Sequence, residues 1–257
     1  MSSDLVEVRR EESRLVIVNK NVSRRNALSV PYYEALMHSV TEAEEDDSIR
    51  SIVLCSEGGY FCSGGDLNGL IKRRNMPIED RSKSIDIFHN IIRGIRKLKK
   101  PVIAAVEGGA AGAGVSLAVA CDFVVMDRAA KVSIAYVKMG LVPDGGATAN
   151  LHSALPKQLL GELCMLGQPI TADRLYGLGV VNAVTDADKV YSTACELADK
   201  IAASPARTIG NIKEMINAPT EQAFLDQLDR ERDAMAFALG SEESTERIMA
   251  FLSKSKK

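Results

Sequence analysis

The chain has 257 residues, enough to bury a core of its own as one domain with an appendage or as two closely joined domains. Its 32 Lys and Arg nearly balance its 34 Asp and Glu, for a net charge of −2, so it offers nucleic acid or a membrane surface no electrostatic attraction. Five Cys without C-x-x-C spacing fit neither a disulfide frame nor a zinc site, and no run is long and apolar enough to span a bilayer; with no apolar leader at M-S-S-D-L-V-E-V-R-R and no S-K-L at the end, the expected location is the reducing cytoplasm.

In chain order, Leu5 to Arg9 and Leu15 to Asn19 pattern as strands of an edge hairpin, separated by the polar turn E-E-S. The segment V-S-R-R-N-A-L-S follows. Ser29 and Pro31 then open a helix to about Glu44, with Leu36, Met37 and Val40 on one face and His38 partly exposed. Ser51 to Cys55 is a buried-strand pattern. It runs into the small, flexible turn E-G-G-Y-F-C-S-G-G-D-L, in which Asp66 can cap a helix from Leu67 to Arg74. That helix ends in the basic run Lys72, Arg73, Arg74, which reads as a solvated face or as an attraction for acidic groups. A polar loop is expected over residues 75–81. An amphipathic helix follows from Ser82 to Leu98, its stripe formed by Ile85, Phe88, Ile92 and Ile95, with His89 beside it as packing or surface.

The stretch from Pro101 to Asp122 repeats the strand–turn–helix plan. Val102 to Val106 is apolar, Gly108 to Gly114 is a turn of Gly and Ala only, and Val115 to Cys121 is a small-residue helix. None of these side chains does chemistry. The asset is bare backbone N–H at a helix start, where Gly and Ala let another molecule approach closely. The turn lacks both G-x-x-x-x-G-K-[ST] and G-x-G-x-x-G, so it is neither a P-loop nor a dinucleotide fingerprint, and close helix–strand packing is the plain alternative. Two such units in one chain provide two N–H donors, and donors that converge on one carbonyl oxygen stabilise charge as it develops there.

Beyond Asp122, strands are expected at Phe123 to Met126 and Lys131 to Ile134, and a glycine turn within A-Y-V-K-M-G-L-V-P-D-G-G-A-T-A. Helices are expected at 148–154 (with a peripheral His152), at Lys157 to Leu166, and after the cap Thr171 up to Gly179. From Asp188 the chain is mostly helical, over 188–203, 205–216, 219–239 and 242–252, punctuated by Pro205, Pro219 and Gly240.

F-C-S-G-G-D-L resembles the F-x-x-G-x-D-[LI] motif of the crotonase (enoyl-CoA hydratase/isomerase) superfamily, and A-A-V-E-G-G-A-A-G-A-G-V-S-L-A-V-A-C-D is similar to its second signature. The resemblance extends over nearly the whole chain. It implies an α/β fold, a crotonase-type spiral of repeated β-β-α units (1–194) that carries the CoA-thioester active site, with a helical C-terminal trimerisation segment (195–257). It also implies an acyl-CoA substrate, no metal or redox cofactor beyond the coenzyme A of the substrate itself, and a homotrimer or a hexamer built as a dimer of trimers. Its oxyanion donors fall on the backbone N–H of Gly65 and of Ala113, with Ser63, Gly64, Asp66, Leu67 and Gly112 around the substrate. The segment R-R-N-A-L resembles the family's [KR]-x-N-A-L, which implies CoA contacts from Arg24 or Arg25 and from the backbone of Asn26 and Ala27. The terminal A-F-L-S-K resembles the family's end segment and places Phe251 and Lys254 over the adenine.

One departure decides the expected chemistry. Hydratases of the family set two Glu carboxylates about one water, and the matching positions here hold Ser116 and Tyr136. Water activation by a carboxylate pair therefore has no basis in this chain. The remaining acid is Asp144 in P-D-G-G, the position at which single-acid isomerases carry their carboxylate. Asp between Pro and Gly-Gly is also an ordinary turn residue. Tyr136 is expected to donate to the thioester, orient the acyl group or fill the wall, Glu107 to make a structural hydrogen bond, and Cys62 to fill space. The resulting expectation is 3-enoyl-CoA to 2-enoyl-CoA isomerisation. Its rivals are hydration or hydrolysis of an unusual, ring-containing enoyl-CoA, and acyl-CoA binding without catalysis.

Overall fold

The structure is a computed structural model that describes residues 2–254. Its strands are β1 (Ser2–Ser3), β2 (Val6–Glu11), β3 (Arg14–Asn19), β4 (Ser51–Ser56), β5 (Val102–Val106), β6 (Gly109–Ala111), β7 (Phe123–Asp127), β8 (Lys131–Ser133), β9 (Pro169–Thr171) and β10 (Ala183–Thr185). Its helices are α1 (Val30–Glu45), α2 (Leu67–Arg73), α3 (Ile78–Lys97), α4 (Ala113–Ala120), α5 (Ala147–Ala154), α6 (Lys157–Leu166), α7 (Ala172–Gly177), α8 (Val190–Ala202), α9 (Ala206–Asn217), α10 (Glu221–Leu239) and α11 (Glu242–Lys254). This is the α/β spiral that the sequence led one to expect.

Seven strands form the main sheet in the order β1-β2-β3-β4-β5-β7-β10. The hairpin pairs antiparallel at one edge, and β3, β4, β5, β7 and β10 run parallel. Parallel strands need helical crossovers, which cover both faces, so β3, β4 and β5 are apolar on both sides rather than alternating. Leu15, Ile17, Ile52, Leu54, Val102 and Ala104 face a core shared with α1, α3 and α10. Their neighbours Val16, Val18, Val53, Ile103, Ala105 and Val125 face α8, which buries Val190, Ala194, Ala198 and Ile201 on them. The 194/195 boundary expected from the sequence falls inside this helix.

Two boundaries differ from expectation in ways that matter for the site. The polar run 75–81 is not all loop: α3 begins at Ile78, behind Pro77, with Glu79 and Asp80 in its first turn. Acidic side chains there complement the helix dipole and start the helix at Ile78, ahead of the expected Ser82 and of the apolar stripe that begins at Ile85. Residues 109–111, expected inside a glycine turn, form β6, paired parallel with β8 and bridged to Cys62 on its other side. Backbone partners on both sides make a strand of a segment with no strand-forming side chains. Elsewhere the differences are small: α4 starts at Ala113, α8 at Val190 and α10 at Glu221, and single 3-10 turns precede the last two.

The C-terminal helices are part of the core. Phe224, Leu228, Met235, Ala236 and Leu239 of α10 and Ile248 of α11 join the same apolar cluster as α3 and α4. Large apolar side chains left exposed include Ile212, Met215 and Ile216 on α9, Phe237 on α10, and Met249 and Phe251 on α11. Among the described residues no helix is long and apolar enough to cross a membrane.

The two glycine turns approach closely at Gly114, where a β carbon would overlap the Cys62 carbonyl and lie 2.8 Å from the Cys62 Cβ. Gly161 on α6 has no heavy atom within 4 Å of such a carbon. Gly114→Ala should therefore lower unfolding stability by about 1–3 kcal/mol through overpacking, whereas Gly161→Ala should raise it by about 0.5–1 kcal/mol through helix propensity, both read by urea denaturation.

Candidate active site

The two turns lie side by side because their backbones are hydrogen-bonded. Ala111 N–H donates to the Cys62 carbonyl at 2.9 Å, and Phe61 N–H to the Gly109 carbonyl at 3.1 Å. Gly64, at φ +94°, comes so near that a β carbon on it would sit 2.8 Å from the Ala111 carbonyl oxygen and 3.2 Å from the Ala113 nitrogen. Gly112, at φ +51°, turns the chain into α4. Among the described residues, neither Gly65 N–H nor Ala113 N–H has a protein acceptor. Two unused donors at adjacent helix starts can accept a ligand's oxygen between them.

Ser116 stands one turn along α4 from Ala113, fully buried, and its hydroxyl lies 3.0 Å from the Tyr136 hydroxyl. Tyr136 donates to Asp144 Oδ1 at 2.7 Å, so Ser116 is left as donor to Tyr136. Asp144 is 9% exposed, and burial pushes its carboxyl up to about 6, against the opposing pull of the Tyr136 hydrogen bond and the Arg73 charge. Burial and the nearby Asp144 charge push the Tyr136 phenol upward, so it stays a proton donor. The Tyr136 ring comes 4.0 Å from the place of a β carbon on Gly112, which joins this chain of groups to the second glycine turn. Gly64, Gly65, Gly112, Ala113, Tyr136 and Asp144, proposed from the sequence, are thus gathered into one locus.

The walls near Asp144 are aromatic. Phe88 packs against the Gly145 backbone, and Tyr33 stands 6.1 Å from Phe88, ring centre to ring centre, tilted by 44°. Leu70 of α2 lies 3.6 Å from the place of a β carbon on Gly65. Of the basic run, Lys72 is exposed, while Arg73 is drawn in, donating to the Gly69 carbonyl at 3.2 Å and to Ser84 Oγ at 3.4 Å.

The R-R-N-A-L segment is tied to the first glycine turn. Leu28 N–H donates to the Gly64 carbonyl, Ser63 N–H to the Arg25 carbonyl, and Ser63 Oγ to the Arg24 carbonyl. Arg25 and Asn26 both have positive φ, 49° and 56°. Asn26 is held there by its side-chain amide, which donates to the carbonyls of Glu57 and Tyr60. Arg24 pairs with Asp66 at 3.0 Å, Arg25 lies over the Tyr60 ring, and Ala27 is buried with its carbonyl bonded to Asn21. Asp66 also caps α2 through Asn68 N–H, and Leu67 packs partly buried against the core. Phe251 and Lys254 lie exposed on α11, and within the chain no described contact joins them to this segment.

The other expected roles resolve simply. The Cys62 thiol is buried and pushed up to about 12, so it fills space as a neutral group. Glu107 acts through its carbonyl, which accepts Phe61 N–H and Gly109 N–H, while burial raises its half-exposed carboxyl. His38 and His152 are exposed. Among the described residues no group of His, Cys, Asp or Glu could hold a metal ion.

Two residues at the site escaped the sequence. His89, expected as packing or surface, is fully buried, and its Nε2 accepts Gly145 N–H at 3.0 Å. Burial and the Arg93 and Arg232 charges push it down to about 3, so it is neutral. Glu231 accepts from Gly146 N–H at 2.6 Å, Thr148 N–H at 2.9 Å and Thr148 Oγ1 at 2.5 Å, and burial pushes its carboxyl up to about 7. It lies within D-R-E-R-D, which reads as a solvated face. The available signal was its spacing: 224, 228, 231, 235 and 239 form one helical stripe, and four of those five residues are apolar.

Comparison with known proteins agrees with this geometry. A family model described as enoyl-CoA hydratase/isomerase matches residues 10–257. The 1,2-epoxyphenylacetyl-CoA isomerase of Escherichia coli K12 is 34% identical over 245 residues, covering 95% of this chain and 94% of that one. The 2,3-dehydroadipyl-CoA hydratase of the same organism is 29% identical, covering 98% and 96%. The crystal structure of an enoyl-CoA hydratase from Polaromonas sp. JS666 superposes with a TM-score of 0.81 at 41% identity, covering 97% of each chain. With a spiral fold, two stitched glycine turns and matches of this extent, the chain belongs to the enoyl-CoA hydratase/isomerase (crotonase) family and is an enzyme that acts on acyl-CoA.

Proposed function

We propose that the enzyme isomerises 3-enoyl-CoA to 2-enoyl-CoA with Asp144 as its single acid/base. The observation that carries this is the buried Ser116–Tyr136–Asp144 chain, which puts two hydroxyls and one carboxylate where a hydratase needs two carboxylates. The thioester oxygen accepts from Gly65 N–H and Ala113 N–H. Asp144 Oδ1 is occupied by Tyr136, so Oδ2 removes the C2 proton. The electron pair moves into a dienolate whose charge rests on the thioester oxygen between the two N–H donors. Asp144 then returns the proton to C4, leaving the double bond conjugated. At neutral pH a carboxyl with a midpoint of about 6 is mostly ionised yet basic enough to take a carbon-bound proton from an enolisable thioester.

Arg24 or Arg25, with the Asn26 and Ala27 backbone, holds the CoA nucleotide, and Ser63, Gly64, Asp66, Leu67 and Gly112 shape the thioester channel. Phe251 and Lys254 cover the adenine. The reaction needs no metal or redox cofactor. The exposed apolar face of α9 to α11 supports assembly as a homotrimer or hexamer, and the place of action is the cytoplasm. Tyr33, Phe88 and Tyr136 about the carboxylate favour an acyl group that bears a ring, in keeping with the name of the 34% identical relative.

Asp144→Asn should slow exchange of the C2 proton of a 3-enoyl-CoA in heavy water by at least about a hundredfold, followed by mass and by absorbance of the conjugated thioester; unchanged turnover removes Asp144 as the base. The wild-type rate should climb with pH through a limb near 6 as the carboxyl ionises. The same substitution should stabilise the fold. A carboxyl whose proton is bound more tightly in the folded than in the unfolded chain costs stability as pH rises from its ordinary value of 3.8 to about 6. Asp144→Asn should thus gain roughly 3 kcal/mol over wild type at pH 8 and little at pH 4, measured by denaturant unfolding.

A further inference from the structure

Asp144 is followed by two glycines at φ +65° and +74°. Without β carbons, such a pair has little of its own to define its peptide planes. Ala147 N–H donates to the Asp144 carbonyl, but three other amides here go to side chains from distant helices instead of to backbone. Gly145 N–H goes to His89 of α3, and Gly146 N–H and Thr148 N–H go to Glu231 of α10. The Thr148 hydroxyl also donates to Glu231, and Gln227 donates to that hydroxyl in turn. Phe88 closes on Gly145, and Phe224 lies 3.0 Å from the place of a β carbon on Gly146. Capping α5 alone would need only a Ser, Thr or Asp at its own start, yet that place is Gly146 with no side-chain cap. The chain instead buries a carboxylate 85 residues away in sequence, which costs desolvation unless every lone pair is used.

We infer that Glu231 and His89 are positioning residues for Asp144: they lock the Gly145–Gly146 turn from two helices and so fix the direction in which its carboxylate faces the thioester. This rests on Asp144 as the base. A clamp that needs Glu231 as an acceptor of three hydrogen bonds works when Glu231 is ionised, since a protonated carboxyl would set a donor against donors. Facing Glu231 are Asp144 and Tyr136 from the loop before α5, Thr148 on α5 and Cys164 on α6; facing His89 are Arg93 on its own helix and Arg232 on α10; facing Asp144 are Tyr136, Tyr33 on α1 and Arg73 on α2.

The test begins without substrate. In the full chain labelled with carboxyl-13C Asp, the Asp144 resonance, assigned by its loss in Asp144→Asn, should follow pH in two steps, its own ionisation and that of Glu231. In Glu231→Gln the second step should vanish. A one-step curve in the wild type, or two steps that survive Glu231→Gln, overturns the inference whatever the acyl group. With a thioester that is turned over, Glu231→Gln should lower kcat about tenfold or more with KM within about twofold, and its rate should level off above the Asp144 limb while the wild-type rate keeps rising. Should Glu231→Gln not fold, the His89 pair decides: His89→Leu should lose kcat, and His89→Gln, which keeps a side-chain acceptor for Gly145 N–H, should regain most of it. Equal rates in the two His89 variants overturn the inference. Turnover that survives Asp144→Asn would remove the proposed base itself, a result that the resonance titration distinguishes from failure of the clamp.

Discussion

Everything at the site depends on the hydrogen bond from Ala111 N–H to the Cys62 carbonyl and the short bridge it belongs to. A helix start offers free N–H groups, but a single one points at solvent and binds whatever anion is near. The bridge sets two such starts at one spacing by joining the turn after β4 to the turn after β5. Gly64, Gly108 and Gly114 are places where the joined turns touch, and at each a β carbon would meet backbone of the other turn. The glycines are therefore required by the approach, and in the proposed reaction the approach serves to set two donors on one oxygen.

The same frame explains the carboxylate. The second turn begins α4, and one turn along it Ser116 faces Tyr136, which reaches Asp144. Burial beneath Tyr33 and Phe88 raises the carboxyl, and the Tyr136 hydrogen bond keeps the rise moderate. A deeper or unbonded carboxyl would stay protonated at neutral pH and be useless as a base, whereas an exposed one would be too weak. The price in fold stability is a buried charge, offset by contacts elsewhere in the core.

Much of this was legible in the sequence because the decisive features are backbone features with distinctive composition. A glycine-rich turn between apolar strand and helix marks a close approach, and the resemblance to the family's two signatures assigned the two donors within the pair of turns. Asp144 stood out only because its position resembles that of the carboxylate in single-acid members of the family; Pro143 and Gly145 by themselves mark an ordinary turn, and Glu107 is a second acid nearby. The lock behind it was not. His89 sat one place off an apolar stripe and Glu231 sat between two arginines, so local pattern made both ordinary. Their roles come from α3 and α10 crossing over the loop that follows β8, a tertiary fact with no local trace. The start of α3 was obscured for the opposite reason, since its first turn is stabilised by charge on a dipole and shows no apolar period.

In the proposed function, Ser116 and Tyr136 in place of a carboxylate pair change the reaction rather than weaken it. Two ionised carboxylates about a water draw its proton and hold its oxygen. Two neutral hydroxyls in series do neither; they hand one hydrogen bond to one carboxylate oxygen and leave the other free. The chain ends on Asp144 and occupies its Oδ1, so in the proposed reaction Oδ2 acts as the base. On that reading, the group that takes the proton from carbon is also the group that returns it. On the reading proposed above, a single base beside two N–H donors suits movement of a proton and a double bond, and the aromatic side chains near Asp144 would restrict which acyl groups bring such a bond within reach.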